Sequence, residues 1–396
     1  MTDKNYENQR YNDEQEQEER ERETDYGSGA DEEVRERPVI RRAHPQRRSR
    51  RFFTSLLVGF LCFVILFYVP LPFFIYMPGT AEAVHPMVSV PKSDNTDEKG
   101  SLMLVTVRVA NANVVTYLWS LANKYDELQL KKDVLRGMSE KDYSQQQQFV
   151  MLTSQSDAIQ TAYKKAGVPF HIKGEGVMVT GLSPGLPAEK VMQAGDKVTK
   201  ADEKEIKTSQ DLFAFLENKK EGDTVTLTFI RGDKEMTAPL TLAKLPPDKD
   251  TGKSRVGIGI TMAEMQSVQA DDPSKQVTIK AGEIGGPSAG LMFSLEIYNQ
   301  LLPEDITKGH KIAGTGTIDT EGKVGVIGGI KHKVIAADRE GAEIFFAPQD
   351  LKTDKGTIYN YTEALARAKE IGTKMKIVPV ATMDDALKYL AELPPK

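Results

Sequence analysis

The chain has 396 residues, room for two or three domains, and a net charge of −5 from 52 basic and 57 acidic side chains. Its one cysteine excludes an intrachain disulfide and any cysteine-based metal site. Its five histidines are scattered without a His-Glu-x-x-His pair, which argues against a zinc peptidase, and no metal or cofactor is expected.

The charge is unevenly placed. Residues 1–34 are crowded with Asp, Glu, Gln and Asn and hold almost no apolar side chains, a composition that cannot bury a core. Residues 1–51 are therefore expected to be a disordered tail. From Arg35 the sign reverses, and Arg41, Arg42, Arg47, Arg48, Arg50 and Arg51 form a basic block. Such a block can bind nucleic acid, but the next segment decides against that partner. Phe52 to Tyr76 has no charged residue and is about 25 residues long, enough to cross a bilayer. Residues 52–77 are expected to form one transmembrane helix containing Cys62, with the N-terminus in the cytoplasm by the positive-inside rule and everything later outside. Pro70 and Pro72 are placed to kink it. Ala81-Glu82-Ala83 offers an Ala-x-Ala cleavage site, yet the apolar run is too long for a cleaved signal and 51 residues precede it, so an uncleaved anchor is expected.

Met77 to Gly100 reads as a linker leaving the membrane. Ser101 to Ala110 alternates in the manner of a strand. A polar helical stretch follows, including Trp119, Tyr125 and a Gln145–Gln148 run read as a solvated helix face. Gln155 to Ala166 reads as helix closed by Gly167.

Residues 168–245 form a different unit. Gly176-Val177-Met178-Val179 is a strand, followed by Ser183-Pro184-Gly185-Leu186-Pro187-Ala188 and Ala194-Gly195-Asp196-Lys197-Val198. A helix over Ser209 to Lys219 precedes the strand Thr224 to Arg231. In this order the motifs resemble a PDZ domain of the bacterial, circularly rearranged type. The resemblance implies a β-rich α+β fold that adds an extended peptide to a sheet edge and holds its C-terminal carboxylate. Leu212, Phe213 and Phe215 are candidates for the groove lining, a role that ordinary core packing would explain equally well. Val168 to Ile172 is the choice for the carboxylate loop.

Pro246-Pro247-Asp248-Lys249-Asp250 reads as a hinge into a final domain over residues 246–396. Ile344 to Ala347, the Tyr361–Ile371 helix, Lys374 to Val380 and a last helix opened by Thr382-x-x-Asp385 alternate as in a mixed α/β domain. Within it, Gly285-Gly286-Pro287-Ser288-Ala289-Gly290 opens an apolar helix whose Leu291, Leu295, Tyr298 and Leu302 share one face. Ser288 thus falls at a helix N-terminus, where backbone amides and the positive dipole end favour an oxyanion. Downstream, Gly328-Gly329-Ile330-Lys331-His332-Lys333 opens a second helix. Lys333 heads its apolar part, where burial would lower the amine pKa and let it take the serine proton. Thr315, in the turn Ala313-Gly314-Thr315-Gly316-Thr317, supplies a hydroxyl that could orient such a lysine.

Gly-Pro-Ser-Ala-Gly, the Thr315 turn and Gly-Gly-Ile-Lys-x-Lys-x-x-Ala-Ala together resemble the proteolytic domain of Lon-type serine peptidases. The resemblance implies Ser288 as nucleophile, Lys333 as general base and Thr315 as the threonine that hydrogen-bonds the lysine. Gly285 departs from the acidic residue that many Lon proteins carry there. The resemblance also raises a homo-oligomer, since Lon-type domains form rings. The final domain is short for such a fold, so the Ser101–Ala110 strand and its helices are read as part of it, with the PDZ unit inserted. Anchor, PDZ unit and peptidase in one chain resemble bacterial membrane-anchored PDZ-containing Lon-like proteases.

Two rivals stay open at this point. Gly286-Pro287-Ser288-Ala289-Gly290 also fits an α/β-hydrolase elbow, with Ser288, Asp319 and His332 as its triad, although Ala281 to Pro287 separate strand from helix. A non-enzymatic PDZ adaptor with a degenerate peptidase fold is the other, and the intact Ser288, Thr315 and Lys333 set speaks against it. Neither Gly252-Lys253-Ser254 nor Gly316 to Lys323 completes a P-loop, so an ATP-independent endopeptidase is expected, acting on secreted peptides or unfolded exported proteins.

Overall fold

The computed structural model describes residues 46–396 apart from 94–98, 233, 248–251, 253, 283 and 355, with side chains described from Arg51 onward. Residues 1–45 of the expected disordered tail, with Arg41 and Arg42 of the basic block, and Asp248 to Asp250 of the expected hinge lie outside the described residues; residues 46–51, expected to be disordered, form the first turns of a helix.

Helix α1 (Gln46–Tyr68) contains an 18-residue segment, Arg51–Tyr68, long and apolar enough to cross a membrane. At 1.5 Å per residue that segment spans about 27 Å, close to a hydrocarbon core. The helix stops nine residues earlier than the expected 52–77 span. Val69 precedes Pro70, and the proline ring disfavours helical geometry at the residue before it while removing a backbone N–H. The remaining apolar residues build strand β1 (Pro70–Ala83) instead. Met77 to Gly100 is accordingly no free linker, because β1, a 3-10 turn at His85–Met87 and a short strand at Val88–Ser89 occupy its first half.

β1 runs antiparallel to both β2 (Ser101–Asn113) and β3 (Glu127–Leu130). Its prolines leave a mark: the register with β2 slips between Pro70 and Phe74 and again after Pro78, where ladder donors are missing. A long helix, α3 (Glu140–Ala166), follows a short one, α2 (Val114–Ala122). The polar stretch read as one helix is thus broken by β3. The same sheet resumes after the PDZ unit with β9 (Lys311–Gly314), β10 (Ile344–Pro348) and β11 (Lys376–Val380), in the order β11-β10-β9-β2-β1-β3. β9 lies parallel to β2, pairing Lys311 with Ser101 and Gly314 with Leu104.

Alternation along these strands feeds two cores. Leu102, Leu104, Ile344 and Phe346 enter one with α3, α5 (Gly290–Leu301) and α8 (Met383–Ala391). Met103, Val105, Phe345 and Ala347 enter the other with α6 (Ile330–Arg339) and α7 (Asn360–Ile371). A period-2 strand buried on both faces needs apolar residues at every position, which is why Ile344 to Ala347 carries no polar side chain.

A second sheet has the order β8-β4-β5-β6-β7, from Ile260–Ala270, Phe170–Leu182, Lys197–Ala201, Thr224–Arg231 and Lys234–Thr241, with Lys204–Glu205 attached to β5 off this path. Helix α4 (Ser209–Leu216), opened by a Thr208–Asp211 capping box, packs on it. β8 sits in this sheet although it belongs to the stretch expected in the peptidase domain. It pairs with β4 from Phe170↔Ala270 to Leu182↔Ile260. One end of this ribbon enters the α3/α5 core through Phe170, Val268 and Ala270, the other enters the second sheet's own core through Val177, Val179 and Ile260. Tyr163 ties down the first end: its hydroxyl donates to Lys275 O and accepts from Val277 N.

Candidate active site and peptide groove

The loop before α5 is held by α3 on one side and the turn at residues 315–316 on the other. Gly286, at φ 86°, adopts a left-handed conformation that favours glycine and donates its N–H to Gln147 O at 2.8 Å. Ser154 Oγ donates to Pro287 O at 2.9 Å. Gln147 and Ser154 both lie on α3, so the glutamine run expected to face solvent instead backs this loop. A Cβ on Gly290 would meet Ser154 Oγ at 2.7 Å and Ile318 N at 3.0 Å, so only glycine lets α5 start so close to its neighbours. The helix begins at Gly290 with Ala289 as N-cap, which leaves Ser288 one residue before the cap rather than in the helix. α5 is buried all round except at Tyr298, a wider apolar surface than the single face read from its spacing.

The carbonyl of Ser288 accepts from Gly316 N at 2.8 Å and from Thr315 Oγ1 at 2.9 Å. This corrects the role expected of Thr315, whose hydroxyl grips the serine backbone instead of the lysine. Lys333, the fourth residue of α6, is 4% exposed. Its Nζ donates to Val105 O at 2.7 Å and lies 2.9 Å from Ser288 Oγ. Val105 is free for this because β9 ends at Gly314 opposite Leu104, one residue short of it. The nucleophile, on the turn that leads into α5, and the amine, on α6, thus come from opposite faces of the sheet and meet past the end of a strand.

Burial lowers the Lys333 pKa from 10.5 to about 7, and no acidic group opposes the shift. A neutral amine at this position can accept the serine proton while its own N–H stays on Val105 O. The pair opens on a cleft of about 850 Å³ that also reaches Tyr76, Glu127 and Tyr143.

The hydrolase triad does not assemble. Asp319 Oδ1 accepts from Glu321 N and Lys323 N inside its own turn. His332 is buried with neither ring nitrogen hydrogen-bonded, its nearest acid being Glu127 at 3.6 Å. Burial pushes the His332 pKa down, and Glu127 offsets this only in part.

In the second sheet a groove of about 510 Å³ lies between α4 and residues 254–262. Leu212 forms its buried floor and Phe213 its half-open wall, with the Arg255 guanidinium 5.0 Å from the Phe213 ring. Phe215 is not in the groove; it packs against the core beneath Lys219. Val168 to Ile172 are misplaced as a carboxylate loop, since Val168 and Phe170 pack into the α3/α5 core at the far end of β4. The groove is instead approached by Gly257-Ile258-Gly259, directly before β8, the edge strand of the sheet.

Two family models match the chain: a PDZ domain over residues 147–242 and the Lon protease (S16) C-terminal proteolytic domain over residues 256–392. A Lon protease from Endomicrobium trichonymphae is 32% identical over 111 residues, covering 28% of this chain and 12% of its own length. One from Metamycoplasma arthritidis is 35% identical over 107 residues, covering 27% of this chain and 12% of its own length. The chain thus spans about an eighth of the length of these relatives. Among solved structures, the PDZ domain of an SdrC-like protein from Listeria monocytogenes is 36% identical, covering 22% of this chain and 87% of that one, with a TM-score of 0.20. The chain carries a PDZ domain and a Lon-type proteolytic domain, the latter a protease domain.

Proposed function

We propose that the protein is a membrane-anchored serine endopeptidase that cleaves with a Ser288–Lys333 dyad and without nucleotide hydrolysis by these 396 residues. The observation that carries this reading is the 2.9 Å approach of Lys333 Nζ, buried and with a pKa lowered to about 7, to Ser288 Oγ. As Oγ attacks the peptide carbonyl, the neutral amine takes its proton and Val105 O holds the resulting ammonium. The oxyanion is met by backbone amides beside Ser288, just ahead of α5. Lys333 then returns the proton to the leaving amine, and water repeats the cycle on the acyl-serine. Gly316 and Thr315 keep the serine backbone still throughout.

α1 serves as the anchor, with the basic residues before it on the cytoplasmic side and both domains outside. The PDZ groove captures an extended peptide along the edge of β8, its carboxylate against the Gly257-Ile258-Gly259 backbone. Substrates are secreted peptides or unfolded segments of exported proteins.

The test is hydrolysis of an unstructured protein by the purified full chain in detergent. Ser288→Ala and Lys333→Ala should each lower the rate by several orders of magnitude with circular dichroism unchanged. Full activity in Ser288→Ala, or loss in His332→Ala with activity kept in Lys333→Ala, contradicts the dyad.

A further inference from the structure

We propose that α2 is a lipid-docking helix that lies in the headgroup layer and seats the protease against the membrane it is anchored in. The inference rests on the reading of α1 as a membrane span. α2 is Val114-Val115-Thr116-Tyr117-Leu118-Trp119-Ser120-Leu121-Ala122, nine residues without a charge. Its inner side is partnered, with the Tyr117 ring packed at a tilt 5.3 Å from that of Phe73 and Ser120 buried. Its outer side is apolar and open: Leu118 is 59% exposed, Trp119 73% and Leu121 63%. A soluble surface rarely gathers three large apolar side chains at such exposure on two turns of helix.

Position identifies what covers them. Asn113 caps α2 through a capping box with Thr116, and the same side chain donates from Nδ2 to Phe67 O at 3.0 Å, in the last turn of α1. Asn113 also stands opposite Pro70, the second residue after that helix. α2 therefore starts where the span leaves the bilayer. Trp119 is six residues past Asn113, about 9 Å along the axis. Whichever way the helix points, its indole stays within reach of an interfacial layer in which amphipathic helices sink about 5–10 Å. Tyr68 and Val69, also exposed, continue the apolar surface back to the span. Tryptophan and tyrosine are the side chains that settle at this depth, each with an apolar body and a polar edge. The docked helix fixes the height of the two domains above the lipid.

Trp119 is the only tryptophan of the chain, so its fluorescence reports on α2 alone. The full-length protein is placed in nanodiscs of phosphatidylcholine and phosphatidylglycerol. Emission should be blue-shifted, quenched by lipids brominated near the headgroup and shielded from aqueous iodide. The double variant Leu118→Ser, Leu121→Ser should raise iodide quenching several-fold with the protein still in the disc. Iodide-accessible emission from protein held in the disc overturns the inference and leaves the span standing. Protein that fails to enter discs overturns both. Emission shielded from iodide and brominated lipid alike, and dependent on the number of protomers per disc, assigns the face to a second copy and overturns lipid docking.

Discussion

The dyad and the groove are built by opposite means. Ser288 and Lys333 are brought together by two helices on different faces of one sheet, and the third partner, Val105, is 228 residues from Lys333 in sequence. The lysine amine sits between the other two atoms at hydrogen-bond distance from each, and the lysine is buried. The groove is made within the PDZ unit by a helix and an edge strand, its walls are apolar and partly open, and no single atom defines it. Chemistry requires a few atoms held to a fraction of an ångström, whereas recognition of an extended chain requires a strand edge and an apolar wall. Loss of one atom should therefore abolish the first function and only erode the second.

The largest expected effect is at Lys333. Lys333→Met should lose hydrolysis by several orders of magnitude and yet fold, since an apolar chain replaces a buried amine. It should also be more stable than the wild type, by an amount that depends on pH. The folded-state pKa is near 7 and the unfolded one near 10.5. Between those values the unfolded chain binds more protons, so wild-type stability rises with pH across that window. The stability gap between variant and wild type should be widest at and below pH 7 and close towards pH 10.5, as denaturant melts at several pH values will show. A gap that widens with rising pH contradicts the buried, neutral lysine.

Thr315→Val should have an intermediate effect. It removes one neutral hydrogen bond, worth about 1 kcal/mol, or roughly a fivefold loss in kcat/KM. Because Thr315 holds the serine carbonyl and not the amine, the midpoint of the pH–rate profile should stay where it is. A shifted midpoint would return Thr315 to the lysine.

The smallest effect is at Phe213, and it separates the two sites. Phe213→Ala should raise KM a few-fold for long unfolded substrates while leaving kcat/KM for a short peptide unchanged. Equal losses on both substrates would make the groove part of the peptidase rather than a capture site.

The contrast also governs what the sequence discloses. Ser288 and Lys333 stand out because each follows a glycine-rich turn that opens a helix, and the proposed chemistry calls for those two side chains. Val105 is invisible in the sequence, because its contribution is a backbone carbonyl that any residue would supply. Gln147 and Ser154 were equally hidden, since a helix's contacts across more than a hundred residues leave no local pattern. Thr315 was legible as a residue and misread as a contact: its hydroxyl has two candidate acceptors, and only the fold chooses. In the PDZ unit, Phe213 and Phe215 are indistinguishable by type, and helical rotation alone puts one in the groove and the other in the core. Residues 70–77 read as membrane because an apolar strand with Phe74 and Ile75 buried and the end of a span have the same composition, with Pro70 and Pro72 the signs of the boundary.

The most direct test of the central claim is the pH dependence of acylation of Ser288 by a short peptide ester, measured in single turnover so that chemistry limits the rate. If Lys333 is the base, the protonated amine is inactive and the neutral one active, so the rate should rise through a single midpoint near pH 7 and level off above it. A rate flat from pH 6 to 9 would contradict Lys333 as the base.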